Sequence, residues 1–119
     1  MGTANGTTNA TDTFAIEQNL TVMREMLKTR PGDLKIHKHV EMLTSQLGNK
    51  QAYEALVDVY NEILDKAPGD VKRTIRLALG RILTTRMSRP KEAIQYYESA
   101  LADDSGDMDA LVALVKHVT

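Results

Sequence analysis

The stretch Pro68-Gly69-Asp70 lies between two helical patterns and recurs along the chain at a fixed step. Pro31-Gly32-Asp33 precedes it by 37 residues, and Ser105-Gly106-Asp107 follows it by 37 residues. The same step superposes apolar positions of the intervening segments, including Leu20 with Val57 and Ile94, and Leu27 with Leu64 and Leu101. Repetition at a fixed step of about 20–50 residues is typical of repeat proteins. The sequence therefore predicts a stack of similar units.

The units are predicted to be helical, because their apolar residues recur at helical spacing. Ile16, Leu20, Met23 and Leu27 follow the i, i+4, i+7, i+11 pattern of one helix face. Similar stripes predict six helices, over about residues 12–29, from Asp33 to Leu47, over about 51–66 and 70–86, from Pro90 past Leu101, and from Asp107 onward. Since short turns join them and no strand pattern occurs, we expect an all-α fold, an antiparallel helical solenoid.

The turn residues predict where the helices begin and end. Asp33, Asp70 and Asp107 hold equivalent places in the three turns, and each is expected to be an N-cap that accepts a backbone N–H of the first helical turn. Gly48-Asn49 is expected to end the second helix, because Gly and Asn tolerate the left-handed conformation that follows many helices.

The N-terminal segment differs in composition from the rest. Residues 1–11 are rich in Thr, Asn, Gly and Ala and are expected to be a disordered tail or a linker, followed by one repeat domain over residues 12–119. The domain begins with the second helix of one pair and ends with the first helix of another. We therefore expect either three pairs in a shifted register or a slice of a longer array. Because residues 108–118 are apolar on more than one side, either a following segment or a partner covers this helix, or it is mildly exposed.

Composition excludes several classes of protein. The 119 residues contain no Cys, which excludes disulfides, thiolate catalysis and Cys-type zinc sites. The formal net charge of −1 gives no general attraction to nucleic acid or to an anionic membrane. No apolar run approaches the roughly 20 residues of a membrane span, and no signal peptide is evident, so we expect a cytoplasmic protein.

No arrangement of residues indicates catalysis. His37 and His39 are two positions apart, about 200° around a helix, so they cannot share a metal ion, and both are expected at the surface. Asp103 and Asp104 are expected to be solvated near a helix end. We find no glycine-rich phosphate loop and no nucleophile elbow in the sequence. The sequence predicts a protein without catalytic residues, cofactor or metal.

Several residues resemble the tetratricopeptide repeat. Ala93, Tyr97 and Ala100 match the small, aromatic and small places of that family's second helix, and Tyr60 and Pro68 match in the preceding unit. Leu77 and Ala78 match the Leu-Gly pair of its first helix. Thr74 and His37 stand where the family has Trp, and the units are 37 residues long instead of about 34. Sel1-like and half-a-TPR repeats are close alternatives of similar length.

This resemblance implies helix pairs stacked as a right-handed superhelical solenoid, with the first helix of each unit lining a concave groove. The first helices are rich in Lys and Arg, and the second helices are rich in Glu and Asp. The implied groove positions, which form the candidate partner-binding site, are Lys35, Lys38, Met42, Lys72, Arg76, Leu79 and Lys116, with Ser45, Asp109 and Val112 beside them. The alternative is that the charges pair between adjacent helices.

The sequence therefore leads to three functional hypotheses. The first is a non-enzymatic module that binds a protein or peptide segment, acidic in character, in a basic groove. The second is an oligomerisation or assembly element that acts through exposed terminal helices. The third is RNA binding, against which the near-neutral charge and the absence of aromatic residues on the basic helices argue.

Overall fold

The computed structural model describes the backbone of residues 10–118 and the side chains of residues 12–116. This part of the chain contains no strand, and it forms six helices: α1 (Ala10–Thr29), α2 (Leu34–Leu47), α3 (Lys50–Leu64), α4 (Gly69–Thr85), α5 (Pro90–Asp103) and α6 (Met108–Val118). The predicted all-helical class is confirmed. The tail expected over residues 1–11 lies outside the described residues as far as residue 9, whereas Ala10 and Thr11 belong to α1.

The chain divides into two compact units, Met1–Val59 and Tyr60–Thr119, with the boundary inside α3. In the first unit α1 packs against α2. One apolar face of each helix is buried, with Leu20 and Leu27 on α1 and Ile36, Val40 and Leu43 on α2. Burying a side chain of this kind contributes about 1.5–3 kcal/mol, so the stripe that predicted α1 also stabilises it.

The second unit has its own core. α4 packs against α5, and α5 packs against α6. The core residues include Ile75, Leu79 and Leu83 of α4, Ala93, Tyr97 and Ala100 of α5, and Ala110 of α6. Ala93, Tyr97 and Ala100 are all buried, so the three places that resemble the tetratricopeptide pattern lie in the interior of this unit.

The turn between α2 and α3 is built from two adjacent residues with different roles. Gly48 has φ +66 and its N–H donates to the Thr44 carbonyl at 2.9 Å, which confirms it as the residue that ends α2. Asn49 instead begins the next helix: its Oδ1 accepts the N–H of Ala52 at 2.8 Å. The prediction had assigned Asn49 only to the end of α2.

Two of the three predicted N-caps are confirmed. Asp33 accepts the N–H of Lys35 at 3.0 Å, and Asp107 accepts the N–H of Ala110 at 3.2 Å. The prediction for Asp70 is wrong, because α4 begins at Gly69 and its N-cap is Pro68, two residues earlier than predicted. The Pro68 carbonyl accepts the N–H of Lys72 at 2.8 Å and so starts the helix, which places Asp70 in the first turn.

The surface position predicted for His37 is wrong, whereas His39 is exposed as expected. His37 is only 4% exposed, and its Nε2 lies 2.6 Å from the carbonyl oxygen of Pro31. A carbonyl oxygen can only accept, so Nε2 carries the proton and donates it. This hydrogen bond joins α2 to the preceding turn. Helical spacing does not predict it, because Pro31 lies outside the helix.

Replacing His37 by Ala is expected to lower the free energy of unfolding by about 2 kcal/mol, because it leaves a small cavity and an unpaired carbonyl at Pro31. Urea unfolding followed by circular dichroism measures this difference. His39→Ala is the matched control on the same helix, and its exposed side chain predicts a change within about 0.5 kcal/mol. Equal effects of the two changes would contradict the role assigned to His37.

Candidate interaction surfaces

A cleft lies in the second unit between α4 and α6, with α5 beneath it. Its volume is about 420 Å³. Its lining is Leu77, Arg81, Thr84, Thr85, Tyr97, Asp109, Val112, Ala113 and Lys116. Apolar side chains come from all three helices, while both basic side chains are exposed. We call it the α4–α6 cleft, and it can accept an apolar group with negative charge beside it.

Tyr97, which lines the α4–α6 cleft, packs against Gly80 of α4. The Tyr97 ring lies against Gly80, where a side chain would meet it: a Cβ on Gly80 would be 2.6 Å from Tyr97 Cε1. The hydroxyl of Tyr97 forms a hydrogen bond with Thr84, whose Oγ1 also donates to the Gly80 carbonyl at 2.9 Å. Burial raises the pKa of Tyr97, so its hydroxyl stays protonated and the ring forms an uncharged floor of the cleft.

A second feature of this unit is a group of ion pairs at the start of α6. Arg73 Nε donates to Asp107 Oδ2 at 2.6 Å and Arg73 Nη2 donates to Asp107 Oδ1 at 2.9 Å. The same Nη2 also donates to Asp109 Oδ2 at 2.9 Å. These bonds raise the pKa of Arg73 and hold the pKa of Asp107 below its usual range. Arg76 of α4 pairs separately with Asp103 at the end of α5.

These pairs decide which predicted groove residues are accessible in the second unit. Arg76 contacts Asp103, and the charges there are paired between adjacent helices, as the alternative proposed. Leu79 is completely buried in the core and offers no surface to a partner. Lys72 is half-buried on α4. Lys116 lines the α4–α6 cleft together with Asp109 and Val112, the neighbours that the same pattern indicated.

In the first unit the three predicted positions share one exposed face. Lys35, Lys38 and Met42 are exposed on α2, on the side opposite its buried residues, and Leu34 is exposed next to them. At about 100° per residue these four positions span roughly 100° of the helix surface. We call them the α2 face. It combines two positive charges with two apolar side chains, the same chemistry as the α4–α6 cleft.

Leu77, Arg81 and Thr84 of the cleft were not among the predicted site residues. They follow one another at i, i+4 and i+7, so the signal was present as a second stripe on α4. The prediction chose the stripe of Lys72, Arg76 and Leu79 instead. Spacing alone does not say which stripe faces the core, because α4 has apolar residues on both.

The first unit also has a cleft, of about 460 Å³, with a lining that is polar and apolar in similar measure: Glu17, Leu20, Thr21, Arg24, Leu47, Asn49, Gln51, Ala52 and Ala55. Burial lowers the pKa of Arg24, and its Nε is buried without a hydrogen-bond partner. Since solvent does not reach Nε, a ligand would not reach it either. This cleft has less apolar surface than the α4–α6 cleft and is the weaker candidate.

No group of three or more His, Asp or Glu side chains within the described residues is arranged to hold a metal ion. Within the same part of the chain, no helix combines the length and the apolar character that crossing a membrane requires.

The chain matches no protein-family model, no curated protein and no solved structure. The fold and the surfaces thus define a class, an all-helical protein with two mixed basic and apolar surfaces.

Proposed function

We propose that this chain is a non-enzymatic interaction module, related to tetratricopeptide repeats, that binds a segment of another protein. The observation that carries the proposal is the α4–α6 cleft, where Leu77 and Val112 lie beside the exposed charges of Arg81 and Lys116. A segment with an apolar side chain next to an acidic one satisfies both parts of this lining.

The size of the cleft favours a peptide segment. About 420 Å³ is near the lower end of the usual range for ligand pockets and suffices for one or two side chains. The affinity for a partner then has to come from several such contacts along the bound peptide. The α2 face has the same chemistry and supplies a second place for the same kind of partner, independently of the first.

The family relation is supported by the fixed 37-residue step and by the residues at its small and aromatic places. Tyr60, Ala93, Tyr97 and Ala100 are buried, as those places require in a helix pair. The right-handed superhelical stacking that the family implies is part of this proposal. Nucleic acid is the weaker partner, because Tyr97 is buried and no base could stack on its ring.

The binding proposal is tested with charge-reversal variants of the cleft. Peptides selected from a displayed random library on the native chain are expected to be enriched in Asp or Glu next to an apolar residue. Arg81→Glu with Lys116→Glu should weaken their binding by about tenfold or more, because two attractive contacts become repulsive. Fluorescence anisotropy of a labelled peptide measures the dissociation constant.

The control is Lys66→Glu with Lys91→Glu, which changes the net charge equally at two exposed positions outside the cleft. Both variants must first show the native helical circular dichroism and a cooperative melt. If the two double variants weaken peptide binding equally, the effect is one of overall charge and the cleft is not the binding site. If Lys35→Glu with Lys38→Glu alone abolishes binding, the site is the α2 face.

A further inference from the structure

One face of α6 is apolar and exposed. Met108, Leu111, Val112 and Val115 are 41–63% exposed, and they follow one another at i, i+3, i+4 and i+7. At this spacing four side chains form one continuous strip along a helix. The opposite side of α6, which includes Ala110, is buried within the unit. We call these four residues the α6 stripe.

The stripe has the chemistry of a helix–helix contact and not that of a solvated surface. Scattered apolar side chains at a surface need no explanation, but a contiguous strip of four along one helix marks an interaction site. Its spacing is that of the apolar seam by which two helices pack together. The partner that fits is therefore another helix with an apolar strip.

The charges along one edge of the stripe indicate which helix this is. Asp109 and Lys116 are both exposed and stand seven residues apart, so they lie within about 20° of each other and roughly 10 Å apart along α6. When two copies of a helix pack antiparallel about a two-fold axis, an edge of one meets the same edge of the other in reverse. Asp109 then lies opposite Lys116 of the second copy, and Lys116 lies opposite its Asp109.

We propose that two copies of this chain associate through an antiparallel pair of α6 helices, with the α6 stripe at its centre and two symmetric Asp109–Lys116 ion pairs at its edge. Arg73 already donates to Asp109 through Oδ2. A carboxylate can accept several hydrogen bonds, so this bond holds Asp109 in place and still leaves it able to accept one from Lys116 of the second copy. The pair shares Asp109, Val112 and Lys116 with the α4–α6 cleft, so it would compete with peptide binding there, whereas Met108 and Leu111 belong to the α6 stripe alone.

The first test is the mass of the chain against concentration, by sedimentation equilibrium from about 5 to 500 μM, because an interface this small is weak. The native chain is expected to shift from monomer to dimer across this range. Met108→Glu with Leu111→Glu should raise the dissociation constant at least tenfold. Phe14→Glu with Val22→Glu is the control, because these α1 side chains are equally apolar and each is 59% exposed.

The second test addresses the antiparallel geometry. Lys116→Asp places one acidic group opposite each Asp109, and Asp109→Lys places one lysine opposite each Lys116, so each variant alone should be monomeric. Mixed together, they restore both ion pairs and should form a one-to-one heterodimer. Circular dichroism melts confirm that each variant is folded before mixing.

Three results would overturn the proposal. A native chain that stays monomeric at the highest concentration excludes self-association through this face. An equal loss of association in the Phe14→Glu, Val22→Glu variant shows that α1 takes part and that the contact is not a symmetric α6 pair. Failure of the two charge variants to associate on mixing, while the native chain dimerises, excludes the antiparallel pairing.

Discussion

Asp107→Ala is expected to lower the free energy of unfolding by about 3 kcal/mol. The Asp107 side chain is fully buried and forms a two-point ion pair with Arg73, across 34 residues of sequence. Its Oδ1 also caps α6 by accepting the N–H of Ala110. Removing one partner of a buried pair costs about 3–5 kcal/mol, and the lower figure applies because Arg73 is 42% exposed.

Asp107→Asn separates the two roles of this side chain. The amide oxygen still caps α6, whereas the negative charge is lost, so we expect a loss of about 2 kcal/mol and not 3. Urea unfolding at pH 7 measures both variants. A loss below about 1 kcal/mol in Asp107→Ala would contradict the assigned ion pair.

The same carboxylate predicts a dependence on pH. Its pKa is lower in the folded state than the value of about 3.9 in an unfolded chain. At a pH between these two pKa values, the Asp107 carboxylate therefore stays ionised in the folded protein but binds a proton in the unfolded chain. Its contribution to stability is complete above about pH 4 and is lost as the pH falls through the folded-state pKa. The stability difference between the native chain and Asp107→Asn should therefore shrink below pH 4. The control is Asp65→Asn, a change of the same kind at an exposed residue.

Gly80→Ala is expected to lower the free energy of unfolding by about 2 kcal/mol, although Ala favours a helix over Gly by up to about 1 kcal/mol. The new Cβ would lie 2.6 Å from Cε1 and 2.7 Å from the hydroxyl oxygen of Tyr97. That ring is buried in the core, so we expect α4 and α5 to move apart to make room for the new methyl group. Thermal and urea unfolding measure the loss.

Gly69→Ala is the matched control, because a Cβ there meets no atom within 4 Å and the position is also in α4. It is expected to raise the free energy of unfolding by about 0.5 kcal/mol. Tyr97→Leu combined with Gly80→Ala should cost less than the sum of the single changes, since the shorter side chain removes the clash. Additive effects would show that Gly80 and Tyr97 do not limit each other.

Much of the fold could be predicted because it is encoded locally. The 37-residue step, the helices between the turns, the end of α2 at Gly48 and the cap at Asp33 each depend on residues a few positions apart. The face of α2 with Lys35, Lys38 and Met42 could be predicted for the same reason: its apolar residues form a single stripe, so the opposite side is exposed.

The site in the second unit could be predicted only in part. Helical spacing placed Lys116 and Val112 together, and the structure finds them in one cleft. It did not show that Arg76 is paired with Asp103 or that Leu79 is buried. Because α4 has apolar residues on two stripes, its rotation is set by what packs on it. One such contact is between Gly80 and Tyr97, which are 17 residues apart in the sequence.

The sequence by itself determined the helices, most of their ends and the all-helical class, because hydrogen bonds within a helix and its caps join residues fewer than five positions apart. Only the tertiary structure decided that His37 is buried, that Arg73 holds Asp107, and that Leu77 and Arg81 line a cleft. These facts depend on which surfaces of separate helices meet, and that choice follows from the shape and charge of side chains distant in sequence.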